Sequence, residues 1–344
     1  MNPSRLRIVL FALGGLSLSH WGCGDSSPAD GSLPRGDSGV AEIGSESEGS
    51  TGVDAGVGDS MTSDVSNESS VADSSVSNDG GTGFCLSFPS MPATRPIATN
   101  TGVPPGTVLS ASGELTISVP GTVVDAKDVS GSIMVNANNV TIRNTKVHPA
   151  TSAAAKGIVV KDGVTGTHIL HSEIYTNNGG YVGIQASDAT VCGNYLHGWE
   201  NAMSVSGGMT IQANYIDRLK GSQASPHFDG IEIYFGGAPS KLWGNHIRMT
   251  DPSDKWLDDT GAINISPYLS SLSDVELVGN WMGGGSYTLY VDEQNGAQAN
   301  MIKITNNRWV RNSAQFGTHL IRRDASVTVW SGNVFDDNGA AIPK

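Results

Sequence analysis

Charge and aromatic side chains are both scarce in this chain. Of its 344 residues 15% are charged, 6% are aromatic and 3 are cysteine, a composition that excludes long-helix and coiled-coil proteins. Basic residues are fewer than acidic ones, 20 against 33. Without clustered Lys and Arg a phosphate backbone finds no partner, so nucleic acid is excluded as a ligand. There is no His/Cys metal spacing, no phosphate-binding Gly loop and no nucleophile elbow. Redox, nucleotide and serine-hydrolase chemistry fall away with them. The apolar run from Ile8 to Leu18 is too short for a permanent membrane span.

That run follows Arg5 and Arg7 and leads to Gly22-Cys23, the layout of an export signal over residues 1–23. A Cys after a small residue, ahead of a Gly/Ser/Asp tract, resembles the bacterial lipoprotein signal, in which the Cys is lipidated and becomes the mature N-terminus. His20 stands where that pattern usually has Leu, and a plain cleaved signal is the alternative. The expectation is an exported protein, lipid-anchored at Cys23 to the cell envelope or otherwise secreted, touching a membrane through that anchor only.

Residues 24–84 hold twelve acidic residues and Arg35 as their one cation, among Ser, Gly, Val and Ala without apolar periodicity. Such a segment cannot bury enough apolar surface to offset chain entropy and reads as a disordered tether. Its carboxylates are too sparse for a calcium loop. Most of the whole-chain charge of −13 therefore lies outside the folded part, which is close to balanced.

From residue 85 to 344 a repeat emerges. Eight segments share an apolar residue, two intervening residues, a small polar residue, one more residue and a second apolar residue. Their polar positions are Thr145, Ser172, Asn194, Asn214, Asn245, Asn280, Asn307 and Asn333, separated by 27, 22, 20, 31, 35, 27 and 26 residues. Each repeat carries a second short strand with apolar alternation, among them Gly230-Ile231-Glu232-Ile233, Ala262-Ile263-Asn264-Ile265 and Thr288-Leu289-Tyr290-Val291. Two or three short strands per turn, with Gly and Asn at the corners, describe an all-β fold: a single-stranded right-handed parallel β-helix, a solenoid of about 8–10 coils. Asn at a bend is expected to adopt the left-handed backbone conformation and to stack with its counterpart in the next coil.

Three segments carry a family resemblance: Asn100-Thr101-Gly102-Val103-Pro104-Pro105-Gly106-Thr107, Gly121-Thr122-Val123-Val124-Asp125 and Asn139-Val140-Thr141-Ile142-Arg143-Asn144. With the later His227-Phe228-Asp229-Gly230-Ile231, they are similar to secreted bacterial β-helix repeat proteins of the pectate lyase-like superfamily. The resemblance covers residues 97–340 and implies a polysaccharide-related role. Asp229-Gly230-Ile231-Glu232-Ile233 also resembles the Asn-Thr-Asp-Gly motif of polygalacturonases, but that family's later Gly-His-Gly and Arg-Ile-Lys motifs are missing. Its inverting hydrolysis does not carry over with the fold.

Stacking defines the candidate site. The residue after the first inward apolar position of each strand faces solvent, in the row Gln185, Ser204, Glu232, Asn264, Tyr290 and Arg322. A mixed row of this kind suits an extended hydroxylated chain, and Arg pairs bidentately with uronate carboxylates. Candidate catalytic residues are His227, Asp229, Glu232, Tyr290 and Arg322; candidate substrate contacts are Gln185, Asn264, Trp256 and Lys220. In a lyase reading Arg322 or Lys220 neutralises a uronate, His227 or Tyr290 abstracts the proton, and Asp229, Glu232 and Asp292 hold a calcium ion. Structural roles stand beside these: Asp229 capping a turn, His227 as a rim residue, Trp256 plugging an apolar patch.

Cys85 and Cys192 are free to pair in an exported protein, which would pin the start of the domain to a coil; burial of Cys192 in the stack is the alternative. Two functions from different classes follow. One is a monomeric lyase or glycosidase acting on an acidic polysaccharide, with calcium as its sole cofactor if it has one. The other is a non-catalytic carbohydrate-binding or adhesion module on a lipid tether.

Overall fold

The computed structural model describes Cys85 and residues 94–344 except Leu269. The expected export signal over 1–23, Cys23 and the expected tether over 24–84 lie outside the described residues. Over the described residues the chain is a right-handed parallel β-helix. It has three ladders of parallel strands, and every turn of the chain adds one rung to each. The first ladder is the 9-stranded sheet from Val123–Asp125 to Val327–Ser331. The other two form one 17-stranded sheet folded around a corner. The second runs from Ser110–Ser112 to Val334–Phe335 and the third from Leu115–Ile117 to Gly317–Ile321. Glu173–Ala186 and Tyr195–Val205 pass through the corner without a break and serve both.

The interior is built from register. In the first ladder Val124, Ile142, Ile169, Val191, Ile211, Leu242, Leu277 and Ile304 stack one above another. In the second, Val129, Val147, Ile174, Leu196, Ile216, Ile247, Met282 and Trp309 do the same. All of these are buried, so one apolar position per strand is repeated at the strand spacing of about 4.8 Å into a continuous core.

The eight polar positions of the repeat form a second buried column. Asn194 Oδ1 accepts from the Ser172 backbone N–H at 2.9 Å, and from Asn214 onward each Asn side chain accepts from both the backbone N–H and the Nδ2 of its predecessor: Asn214 Oδ1 takes both from Asn194 at 3.0 Å, and Asn245 Oδ1 both from Asn214 at 3.0 Å. Asn280, Asn307 and Asn333 continue the column. The left-handed conformation, however, belongs to the residue before each of them. Asn144, His171, Gly193, Ala213, Gly244, Gly279, Asn306 and Gly332 all have positive φ. They turn the chain from the first ladder into the second, which leaves the following residue extended and its amide aimed into the stack. Gly suits four of these corners because it meets no Cβ penalty at positive φ.

Cys85 is disulfide-bonded to Cys192 with Cα atoms 5.6 Å apart. From there the segment 94–103 lies along the outside of the second ladder. Arg95 pairs with Asp336 at 2.5 Å, His246 bonds the Pro96 carbonyl at 2.7 Å, and the Gly102 amide donates to Gly193 at 2.9 Å. Beneath it Tyr195, Tyr215 and His246 form a buried stack with ring centroids 5.4 and 5.1 Å apart. Because the bridge closes a loop of 107 residues, reduction is expected to lower the unfolding free energy by about 4–5 kcal/mol. Urea titration with and without reductant measures this, and an unchanged midpoint would contradict it.

Candidate functional site

Strand Asp229–Ile233 is buried at all five positions. Ile231 and Ile233 stack inward on Ile263 and Ile265. Gly230 also faces inward: a Cβ there would sit 2.4 Å from the Ala262 carbonyl oxygen and 2.5 Å from Ile247 Cγ2. Two successive inward positions leave Asp229 and Glu232 together on the outer face of the third ladder. They are nevertheless only 0% and 1% exposed.

In this outer row Gln185, Ser204, Glu232, Asn264 and Tyr290 are in register, as expected. The next member is Leu320, not Arg322. The last strand is Gly317–Ile321, two residues earlier than the sequence suggests. Arg322 therefore lies past the corner, where its Nε and Nη2 clamp Asp292 at 2.8 and 3.2 Å. That contact also takes Asp292 away from Asp229 and Glu232, so the expected calcium set does not assemble. Among the described residues no group of three or more His, Cys, Asp or Glu is arranged to hold a metal ion.

What does assemble is a carboxyl cluster. The carboxyls of Asp229 and Glu232 hydrogen-bond to each other. Asp229 Oδ1 also accepts from Asn264 Nδ2 at 3.2 Å, and Asn264 is held in turn by Ser266. Ser204 bonds Glu232. Asp229 Oδ2 and Glu232 Oε1 meet no donor group of the protein, so a proton between the carboxyls is what reconciles them. Burial, with the charge of Asp259 as a further cause, pushes Asp229 up to about 8. Burial and the adjacent Asp229 raise Glu232 well above the carboxylate range. At neutral pH the pair holds a proton.

Glu200 completes the arrangement, and the sequence reading missed it. It is 3% exposed. Its Oε1 accepts from Gln223 Nε2 and from the His227 backbone N–H at 3.0 Å, tying segment 221–228 to this coil. Burial raises its pKa too. The side chain of His227 faces Asp259, Nδ1 to Oδ2 3.6 Å, at the partly exposed rim. Tyr181 and Tyr290 are half-buried at this rim, and burial raises both phenols; the carboxyls add to the effect, Glu232 first for Tyr181 and Asp229 for Tyr290. Nothing in the repeat marks Glu200; it reaches the site because its neighbour Asn201 is in register with Asp229.

The remaining expected contacts lie apart from the pair. Gln185 Oε1 accepts from Lys156 Nζ at 2.7 Å. Lys220 is held by its backbone, donating to the Trp199 carbonyl at 2.9 Å. Trp256 packs under the Arg248 guanidinium, 5.4 Å from its ring centre, and against Gly283 and Gly284. That is a packing position at the corner of the second ladder rather than a wall of the carboxyl site.

No family model matches the chain, and no curated protein matches it. Among solved structures it is similar to trypsin-treated QnrB1, a plasmid-mediated fluoroquinolone resistance protein, at 12% identity and a TM-score of 0.15. That alignment covers 67% of this chain and 92% of the other. So low a score carries no weight, and the β-helix rests on the ladders themselves.

Proposed function

We propose that this protein is a polysaccharide-active enzyme of pectate lyase-like architecture, exported and tethered to the cell envelope, and that it hydrolyses glycosidic bonds. The observation that carries this reading is the buried carboxyl pair Asp229 and Glu232 on the outer face of the solenoid. A carboxylic acid that stays protonated near neutral pH is a general acid for a leaving glycosidic oxygen. Asp259, more exposed and beside His227, is the carboxylate placed to activate water. Elimination fits less well. It needs a cation at the uronate, and of the two candidates Arg322 is engaged by Asp292, which leaves Lys220 alone. The burial of the pair means that the chain around it must move for a glycan to reach it.

One observation favours the second reading, a non-catalytic glycan-binding module: both carboxyls are sealed in the closed chain. Incubating the full chain with acidic and neutral polysaccharides separates the readings. New reducing ends without unsaturated product are expected. Unsaturated product would make it a lyase, and saturable binding with neither product would make it a binding module.

A further inference from the structure

A second feature of the outer surface lies three strands from the carboxyl pair. Between the end of the second ladder and the last strand of the third is a cavity of about 260 Å³, lined by Arg311, Asn312, Gln315, Phe316, Thr318 and Phe335, among others. Arg311 is fixed in place. Its Nε and Nη2 bond Asp337 at 2.9 and 3.3 Å, Nη2 also bonds Asn338 at 2.9 Å, and the guanidinium lies 3.8 Å from the centre of the Phe335 ring. Asp337 cancels its charge, and Nη1 is left to donate. Phe316 is 65% exposed, although an aromatic ring normally goes to the core.

We propose that this cavity is a binding subsite for a neutral sugar residue, with Phe316 as the stacking platform and Arg311, Asn312 and Gln315 as hydroxyl partners. A paired, pre-oriented guanidinium donates hydrogen bonds without net charge, which suits hydroxyls better than carboxylates. An exposed ring beside polar groups fits a pyranose, whose one face is C–H and whose rim is hydroxyl. Adjacent rings lead from here to the carboxyl pair. Phe316 lies 5.7 Å from Tyr287, and Tyr287 meets Tyr290 edge-on at 5.6 Å. Tyr290 is in the row of Glu232. Three strand spacings, about 14 Å, separate the strands of Asp229 and Gly317, so one oligosaccharide spans both. The inference rests on the glycan reading above and gives it a substrate class: chains that carry uncharged residues at this end.

The test is calorimetric titration of the full chain with cellohexaose, xylohexaose, mannohexaose and hexagalacturonate. At least one neutral hexasaccharide is expected to bind, more tightly than the uronate. Phe316→Ala is expected to weaken it by about tenfold, and Phe316→Trp to retain it. Equal affinity of parent and Phe316→Ala, preference for the uronate, or no binding by any neutral hexasaccharide overturns the proposal. Binding through Phe316 without cleavage would sink the hydrolase reading and leave the subsite standing.

Discussion

Replacing Asp229 by Asn and Glu232 by Gln together is expected to reduce glycan cleavage by at least about a hundredfold, the contribution of a positioned acid. The two substitutions keep the shape of the site. Asn at 229 still offers Oδ1 to Asn264, whose Nδ2 lies 3.2 Å from the present carboxyl. What they remove is the shared proton, and stability must register its loss. Asp229 is raised from 3.8 to about 8 in the fold, so between those values the folded chain holds a proton that the unfolded chain releases. Folding is then favoured fully below about pH 4 and progressively less up to about 8, by roughly 1.4 kcal/mol per pH unit and per proton. The parent should therefore lose stability as pH rises from 5 to 8, and the double variant should show that loss far less. In the same window the parent's cleavage rate falls as the acid ionises near the upper value. Urea titrations across pH and initial rates on the same samples check both. A double variant that cleaves normally, or has an unchanged pH slope, rejects the role of the pair.

A comparably large effect is expected in the asparagine column. Asn245 is fully buried. It accepts from the Asn214 amide and Nδ2 at 3.0 Å, and donates to Asn280 Oδ1 and the Ile211 carbonyl at 2.9 Å each. Leucine has similar bulk but leaves the two Asn214 donors and the Ile211 carbonyl without partners inside the core. Each orphaned group costs about 1–3 kcal/mol, so Asn245→Leu is expected to cost about 4 kcal/mol. In a solenoid every coil leans only on its neighbours, so the damage centres on the coils around Asn245. Hydrogen exchange should show the amides of 214, 245 and 280 losing protection before those near the ends of the column. A loss below about 1 kcal/mol would mean that water takes over the orphaned groups.

The column and the core were legible because stacking repeats them. A residue that must match its neighbour 4.8 Å away recurs at one position per coil, and the recurrence can be read even when the period wanders between 20 and 35 residues. The outer row was legible for the same reason from Gln185 to Tyr290. It failed at Arg322, where the two arginines after Ile321 carry no periodic signal and Asp292 and Glu293 draw them to the corner, at 2.8 and 2.5 Å.

Glu200 and Asp259 obey no repeat at all. They sit where strands bend and loops close, and they come close to Asp229 because Asn201 and Gly261, near them in the chain, pair with it across neighbouring coils. Local sequence therefore determined the solenoid, its inward rows and the outward placing of Asp229 and Glu232, because each depends on a strand and its nearest coils. Only the tertiary structure decided that the two carboxyls are buried and share a proton. Desolvation depends on what loops from distant parts of the chain exclude, and that is not written in the period of any one strand.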